Sequence, residues 1–297
     1  MNVAANKVLT YIVADLESVL NKCGIMYHIF SRTKSEISTK SKLTKKEDEY
    51  KAKGKKMQDL LALRITLYFT DDVDLVYDYL KKQLNYVDEQ VDKPEEDRFC
   101  PKRLNLIMRI PDKYKDDMIA AIRNTGFPDL IDDTYEIQIR TILSEGWHEV
   151  EHDLRYKCKE DWTGHSEEGR LLNGIYASLE SSEWSMLTLF DRLAYAQYKE
   201  REWSSMMRNK MRLRFTDKGL SPDVLNFLTQ NKEIAKKLYK AERSKILKNV
   251  MEKRFNYPLT YDTVLHLLNH IEVKNKELAN MEDPLLKSDM DLLFGAI

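Results

Sequence analysis

Two acidic side chains stand where strands would present them. Asp59 immediately precedes an apolar run at 60–69, and Glu136 lies within 134–141, where apolar and polar residues alternate. Upstream, residues 32–56 carry ten Lys/Arg (Arg32, Lys34, Lys40, Lys42, Lys45, Lys46, Lys51, Lys53, Lys55, Lys56) against four acids. Magnesium usually takes one or two protein carboxylates plus substrate phosphates, and cations offset charge developing on a transferring group. The pattern therefore suits a Mg²⁺–triphosphate site. The sequence has neither G-x-x-x-x-G-K-[ST] nor G-x-G-x-x-G, so such a site has to be built from side chains. Plainer readings stand beside it. The lysines could form a solvated face, Asp59 a turn, and Arg64 a partner for a neighbouring carboxylate. Glu136, Gln138 and Arg140 could be the wet side of a strand.

A second constellation reads His148-Glu149-Val150-Glu151-His152 and satisfies H-E-x-x-H. On a helix, histidines four apart share a face and can bind zinc, with Glu149 as general base. No glycine and third histidine follow at the spacing of an extended zinc motif, so a third ligand would come from Glu167, Glu168 or Glu180. A charged helix face that happens to carry two histidines is the alternative.

The elements that must position these groups follow from periodicity. Residues 3–30 read as helical, with Val8, Ile12, Leu16, Val19 and Leu20 at three-and-four spacing. Strands are expected at 60–69, 104–110 and 134–141, the last with Tyr135, Ile137 and Ile139 on one side and Glu136, Gln138 and Arg140 on the other. Helices are expected at 71–84 and 113–123. From 144 to about 215 the pattern is helical, with one stripe through Trp147, Val150 and Leu154. A second runs from Leu171 and Ile175 to Phe190 and Leu193. A boundary falls at 216–222, where Ser221 suits an N-cap and Pro222 the first helical position. This gives an α+β region over 1–215 and an all-helical extension over 216–297.

Composition limits the alternatives. The 297 residues carry 48 basic against 49 acidic groups, so bulk charge gives no support for nucleic-acid binding. No apolar run is long enough to span a bilayer, and the first residues lack the pattern of a signal peptide. Cys23, Cys100 and Cys158 are odd in number and widely spaced, which fits a reducing, cytoplasmic setting.

Four ordered segments resemble the RelA/SpoT-type nucleotide pyrophosphokinases, especially the small alarmone synthetases. Arg32-x-Lys34-x-x-x-Ser38-x-x-x-Lys42 resembles the family's basic phosphate segment. Asp59-Leu-Leu-Ala62-Leu-Arg64 is similar to its D-x-x-G-x-R strand, with Ala62 in place of the usual glycine. Tyr135-Glu136-Ile-Gln138-Ile-Arg140-Thr141 resembles its E-x-Q-I-R-T strand, and Trp147-x-x-x-Glu151-His152-x-Leu154-x-Tyr156-Lys157 resembles the helix that follows. The likeness covers about residues 10–200 and accounts for H-E-x-x-H as part of a different motif.

The resemblance implies a nucleotidyltransferase-like mixed sheet flanked by helices. It implies Asp59 as a Mg²⁺ ligand, and Glu136 as a second ligand or the base for an acceptor hydroxyl. Lys34, Ser38 and Lys42 would hold ATP phosphates, with Arg32 and Arg64 sandwiching the adenine. The reaction would be attack of a ribose 3′-hydroxyl on the β-phosphorus of ATP, with AMP leaving. The family's acceptor segment, P-K-x-x-G-Y-x-S-x-H, is only partly present. Here Pro101-Lys102 occur without the Gly-Tyr or the His. Arg98, Phe99, Lys102 and Arg103, with Gln138 and Arg140, are the candidate acceptor contacts. The expected acceptor is GDP or GTP, giving (p)ppGpp. An adenine nucleotide, the tRNA 3′ end used by toxic or phage-defence relatives, or a nucleotide-binding module without catalysis remain open. Lysines 232, 236, 237 and 240 would serve an RNA acceptor. Only about 30 residues precede Arg32, so no preceding hydrolase domain is expected. A homo-oligomer or an antitoxin would be a further partner.

Overall fold

In a computed structural model, residues 2–45, 50, 54–92, 104–253 and 255–297 are described. They form two compact units. Met1–Ser18 with Tyr27–Glu183 make the first, and Val19–Met26 with Trp184–Ile297 the second. This division falls inside a long helix, earlier in the chain than the 216–222 turn.

The first unit is built on a five-stranded mixed sheet in the order β1-β2-β5-β4-β3. Its strands are β1 (Tyr27–Thr33), β2 (Leu61–Leu67), β3 (Tyr86–Val91), β4 (Leu104–Arg109) and β5 (Thr134–Thr141). The three strands expected from sequence occupy the three central positions. β5 runs parallel to β2 and antiparallel to β4, while β1–β2 and β3–β4 are antiparallel. Alternation decides the faces. Leu61, Leu63, Ile65 and Leu67 of β2 and Tyr135, Ile137 and Ile139 of β5 are buried, and Glu136, Gln138 and Arg140 are half-buried. Helices α1 (Val3–Lys22), α2 (Glu36–Lys45), α3 (Asp71–Gln83), α4 (Lys115–Arg123) and α5 (Ile142–Glu151) accompany the sheet. Hydrogen bonds tie α1 to its neighbours: Asn2 Nδ2 donates to Ala121 O at 2.6 Å, and Thr33 Oγ1 to Asn6 Oδ1 at 2.8 Å.

The helix expected over 3–30 stops at Lys22, and Tyr27–Thr33 is a strand. Gly24 takes a left-handed φ of 64°, which breaks the helix, and the next residues extend as β1. β3 was not expected. Its polar, edge-strand sequence YVDEQV lacks a strong apolar alternation.

After α5 come a π-turn at His152–Tyr156 and the long α6 (Ser166–Glu200). The stripes expected on these segments are only partly covered: Trp147 is buried, while Val150, Leu154, Leu171, Ile175 and Leu193 are exposed. The second unit contains α7 (Trp203–Met211), α8 (Pro222–Gln230), α9 (Lys232–Lys240), α10 (Arg243–Glu252), α11 (Tyr261–Leu268), α12 (Lys276–Ala279) and α13 (Pro284–Phe294). Ser221 takes the extended N-cap conformation, with Pro222 opening α8 as its sequence indicates. Leu228, Leu238, Leu247, Phe255, Leu267 and Met290 lie in this unit's core, and Phe215 stacks on Tyr261 at 3.9 Å.

Candidate active site

Register places the expected donor-site residues in cross-strand rows. Arg32 of β1 is opposite Ala62 of β2, which is opposite Glu136 of β5. One step along, Phe30, Arg64, Gln138 and Asn105 form a second row across four strands. Side chains in register share a face of the sheet. A small residue at the centre of the first row, Ala62, leaves room beside the arginines. A cavity of about 360 Å³ opens there, lined by Phe30, Arg32, Ala62, Arg64, Gln138, Glu145 and Glu149 among others.

A continuous polar network crosses this face. Asn105 Nδ2 donates to Glu136 Oε1 at 2.8 Å, and Gln138 Nε2 donates to Glu136 Oε2 at 3.4 Å. Arg64 Nε donates to Gln138 Oε1 at 3.2 Å, and its Nη1 donates to Glu145 and Glu149. Arg140 Nη1 closes the series on Glu145 Oε2 at 3.0 Å. Burial lowers the affinity of Arg64 for its proton, but the two glutamates outweigh this and raise its pKa. Arg140 moves the other way, lowered by burial and by Arg64 despite its bond to Glu145.

Asp59 belongs to a second cluster. Its Oδ2 accepts from Lys42 Nζ at 2.7 Å and Lys34 Nζ at 3.0 Å. The chain brings them together because Lys34 follows β1 and Asp59 precedes β2: Lys34 N donates to Leu60 O at 2.9 Å, extending the β1–β2 ladder. Lys42 arrives from α2. Burial alone would raise the Asp59 pKa, but Lys42 and Lys34 bring it below the ordinary carboxylate value. Its other oxygen, Oδ1, is buried without a hydrogen-bond partner among the described residues. An ionised carboxylate with one buried, unsatisfied oxygen fits a hard divalent cation. Ser38 is exposed on the first turn of α2, where its hydroxyl and that of Ser35 are 2.9 Å apart.

Arg98, Phe99, Lys102 and Arg103 lie outside the described residues. Gln138 and Arg140, read from sequence as acceptor contacts, sit within the network around Arg64 and Glu136. The residues that sequence reasoning missed are Glu145 and Glu149. Their signal was present, since both follow the 134–141 strand one helical turn apart on α5, but Glu149 was absorbed into the H-E-x-x-H string. That string does not assemble as a zinc site. Glu149 pairs with Arg64, and His152 Nδ1 lies 2.9 Å from Asp153. Burial and the Arg140 and Arg64 charges push His148 down to about 3, an electrostatic setting hostile to a metal cation. Among the described residues, no three His, Cys, Asp or Glu side chains come together to hold a metal ion.

The mixed sheet thus carries acidic and basic side chains on one face, beside a cavity of about 360 Å³. Residues 31–161, all within the first unit, match the family model described as a region found in RelA / SpoT proteins. The match is confined to this region of the chain. Similar solved structures include a GTP pyrophosphokinase family protein from Streptococcus pneumoniae. It is 20% identical with a TM-score of 0.49, over 65% of this chain and 92% of that one. Small alarmone synthetase 1 from Bacillus subtilis, solved bound to its product pppGpp, is 20% identical with a TM-score of 0.46. That match covers 63% of this chain and 93% of that one. No curated protein matches the chain in sequence.

Proposed function

We propose that this protein transfers pyrophosphate from ATP to the ribose 3′-hydroxyl of GDP or GTP. The observation that carries the reading is the arrangement of the RelA/SpoT region: Arg32, Arg64 and Glu136 share one face of the sheet, and the two arginines line one cavity. Guanidinium planes stack on aromatic rings, so Arg32 and Arg64 would hold the donor adenine. Lys34 and Lys42, with Ser38 beside them on α2, would receive the phosphates.

Glu136 takes the proton of the attacking hydroxyl. Each Glu136 oxygen accepts one amide hydrogen bond, from Asn105 or Gln138, and keeps a second lone pair for the substrate proton. The acceptor 3′-oxygen bonds to the β-phosphorus, the bond from that phosphorus to the α,β-bridging oxygen breaks, and AMP leaves with the electron pair. Asp59 would hold Mg²⁺ through Oδ1, and the ion would supply charge neutralisation on the triphosphate.

Incubation with γ-labelled ATP, Mg²⁺ and GTP should yield labelled pppGpp and equimolar AMP, separated by chromatography. ATP binding without label transfer to GDP or GTP would overturn the reading. Label appearing instead on ADP or on the tRNA 3′ end would identify a different acceptor, and no transfer to any of these would leave a binding module.

A further inference from the structure

We infer that Glu145 and Glu149 clamp the Arg64 guanidinium so that it is preset as one wall of the donor-base cavity; both are positioning residues. The inference rests on the proposed ATP site. Its basis is local and geometric. Thr141 ends β5 and caps α5 in a reciprocal box: its side chain accepts from Ser144 N at 3.2 Å, and Ser144 Oγ accepts from Thr141 N at 3.2 Å. That box fixes where α5 leaves the sheet. Glu145 and Glu149, four residues apart, then fall on one helix face. Both reach Arg64 Nη1, while Gln138 holds Arg64 Nε from the sheet at 3.2 Å. A long side chain lining an open cavity is thus bonded along two of its nitrogens before any nucleotide enters.

The two glutamates contribute unequally. Glu145 is buried and also accepts from Arg140 at 3.0 Å, so it joins two arginines. Glu149 is exposed at the cavity wall and makes its bond to Arg64 from there. Two glutamates face two arginines, so the cluster is balanced in formal charge. An Arg64 released from the clamp would have to be ordered by the incoming base, and that ordering weakens binding. The loss belongs to donor binding, because the clamp touches neither Glu136 nor Asp59 directly in the bonding described.

The test measures affinity for a non-hydrolysable ATP analogue by calorimetry, with steady-state kinetics alongside. Glu149→Gln keeps the shape and removes the charge; it should weaken binding and raise KM for ATP by roughly threefold to tenfold, with kcat changed by less than about twofold. Glu145→Gln should weaken binding more, and its thermal midpoint reports whether it stays folded. The decisive comparison places Glu149→Gln in an Arg64→Ala background, where its effect should vanish because the clamp has nothing to hold. An undiminished effect there, or wild-type affinity in Glu149→Gln, overturns the clamp while leaving the ATP site intact. Failure of the wild-type protein to bind the analogue overturns the ATP site itself, and the clamp with it.

Discussion

Arg64 and Glu136 are joined by one amide. Gln138 accepts from Arg64 Nε with its oxygen at 3.2 Å and donates to Glu136 Oε2 with its nitrogen at 3.4 Å. The amide accepts through its oxygen and donates through its nitrogen, which a carboxylate cannot do. Gln138→Glu would keep the acceptor but place a second carboxylate against Glu136. The expected result is a fall in kcat on the order of 10²-fold, larger than the fall for Gln138→Met, because the acid adds repulsion to the lost bond. Equal kcat for the two variants would show that the added carboxylate exerts no repulsion on Glu136.

Asp59 pairs with Lys34 and Lys42 at the proposed metal position. Because Lys42 and Lys34 outweigh the opposing effect of burial, its carboxyl titrates below its ordinary 3.8 in the folded chain. Its contribution to stability is present at neutral pH and is lost as pH falls below 3.8 through the lowered value. Asp59→Asn should abolish Mg²⁺-dependent turnover, by on the order of 10²–10³-fold, while circular dichroism shows a folded protein. Mg²⁺ titration of turnover that is unchanged in this variant would remove Asp59 from the metal position.

His148 makes a pH prediction with the opposite chemistry. In the unfolded chain it titrates near 6.5, and in the folded chain burial, Arg140 and Arg64 hold it down to about 3. Between these values the unfolded chain binds a proton that the folded chain does not. Stability therefore falls on acidification through that window, by up to about 1.4 kcal/mol per pH unit. Urea unfolding at pH 7 and pH 5 should show a smaller loss for His148→Phe than for the wild type. Parallel losses would mean that His148 titrates normally in the fold.

Gly24 turns the chain between α1 and β1 with φ 64°. A Cβ there would come within 2.9 Å of Leu259 Cδ1 and 3.3 Å of Arg214 O, where Gly24 O already accepts from Arg214 N at 2.8 Å. Gly24→Ala combines a left-handed backbone with a backbone contact that cannot give much. It should cost roughly 1–3 kcal/mol, read as a lowered urea midpoint. A midpoint within error of the wild type would mean the turn relaxes freely.

What the sequence showed and what it hid have separate causes. The 134–141 strand was legible to the residue because alternation and a buried face coincide in it. Ordered motifs singled out Asp59 and Arg64, which the fold places before and within β2. β1 was hidden because the apolar spacing of α1 continues into Ile25 and Tyr27, and the only break is one glycine. The Arg64 clamp was hidden for a different reason: Glu145 and Glu149 gain meaning only when β2 and β5 pair in parallel and carry Arg64 beneath α5. That is a contact between residues more than 80 positions apart, as the separation of 81 for Arg64 and Glu145 shows.

The two candidate acceptors would draw on residues of different compact units. The network around Glu136 lies within the first unit, whereas Lys232, Lys236, Lys237 and Lys240 lie on α9 of the second. All four are exposed, and Lys236 lies 3.9 Å from Glu233. An RNA acceptor would draw affinity from such lysines through its many phosphates, and binding would weaken by roughly 0.7 log units per neutralised phosphate for each tenfold rise in salt. GDP or GTP offers few phosphates, and the proposed reaction places them with the first unit. Reversal of the four lysines to glutamate should therefore leave pppGpp formation from ATP and GTP within about twofold of wild type, with a shallow salt dependence in both proteins. Loss of product on charge reversal, together with a steep salt dependence, would move the acceptor from a free nucleotide to a nucleic acid.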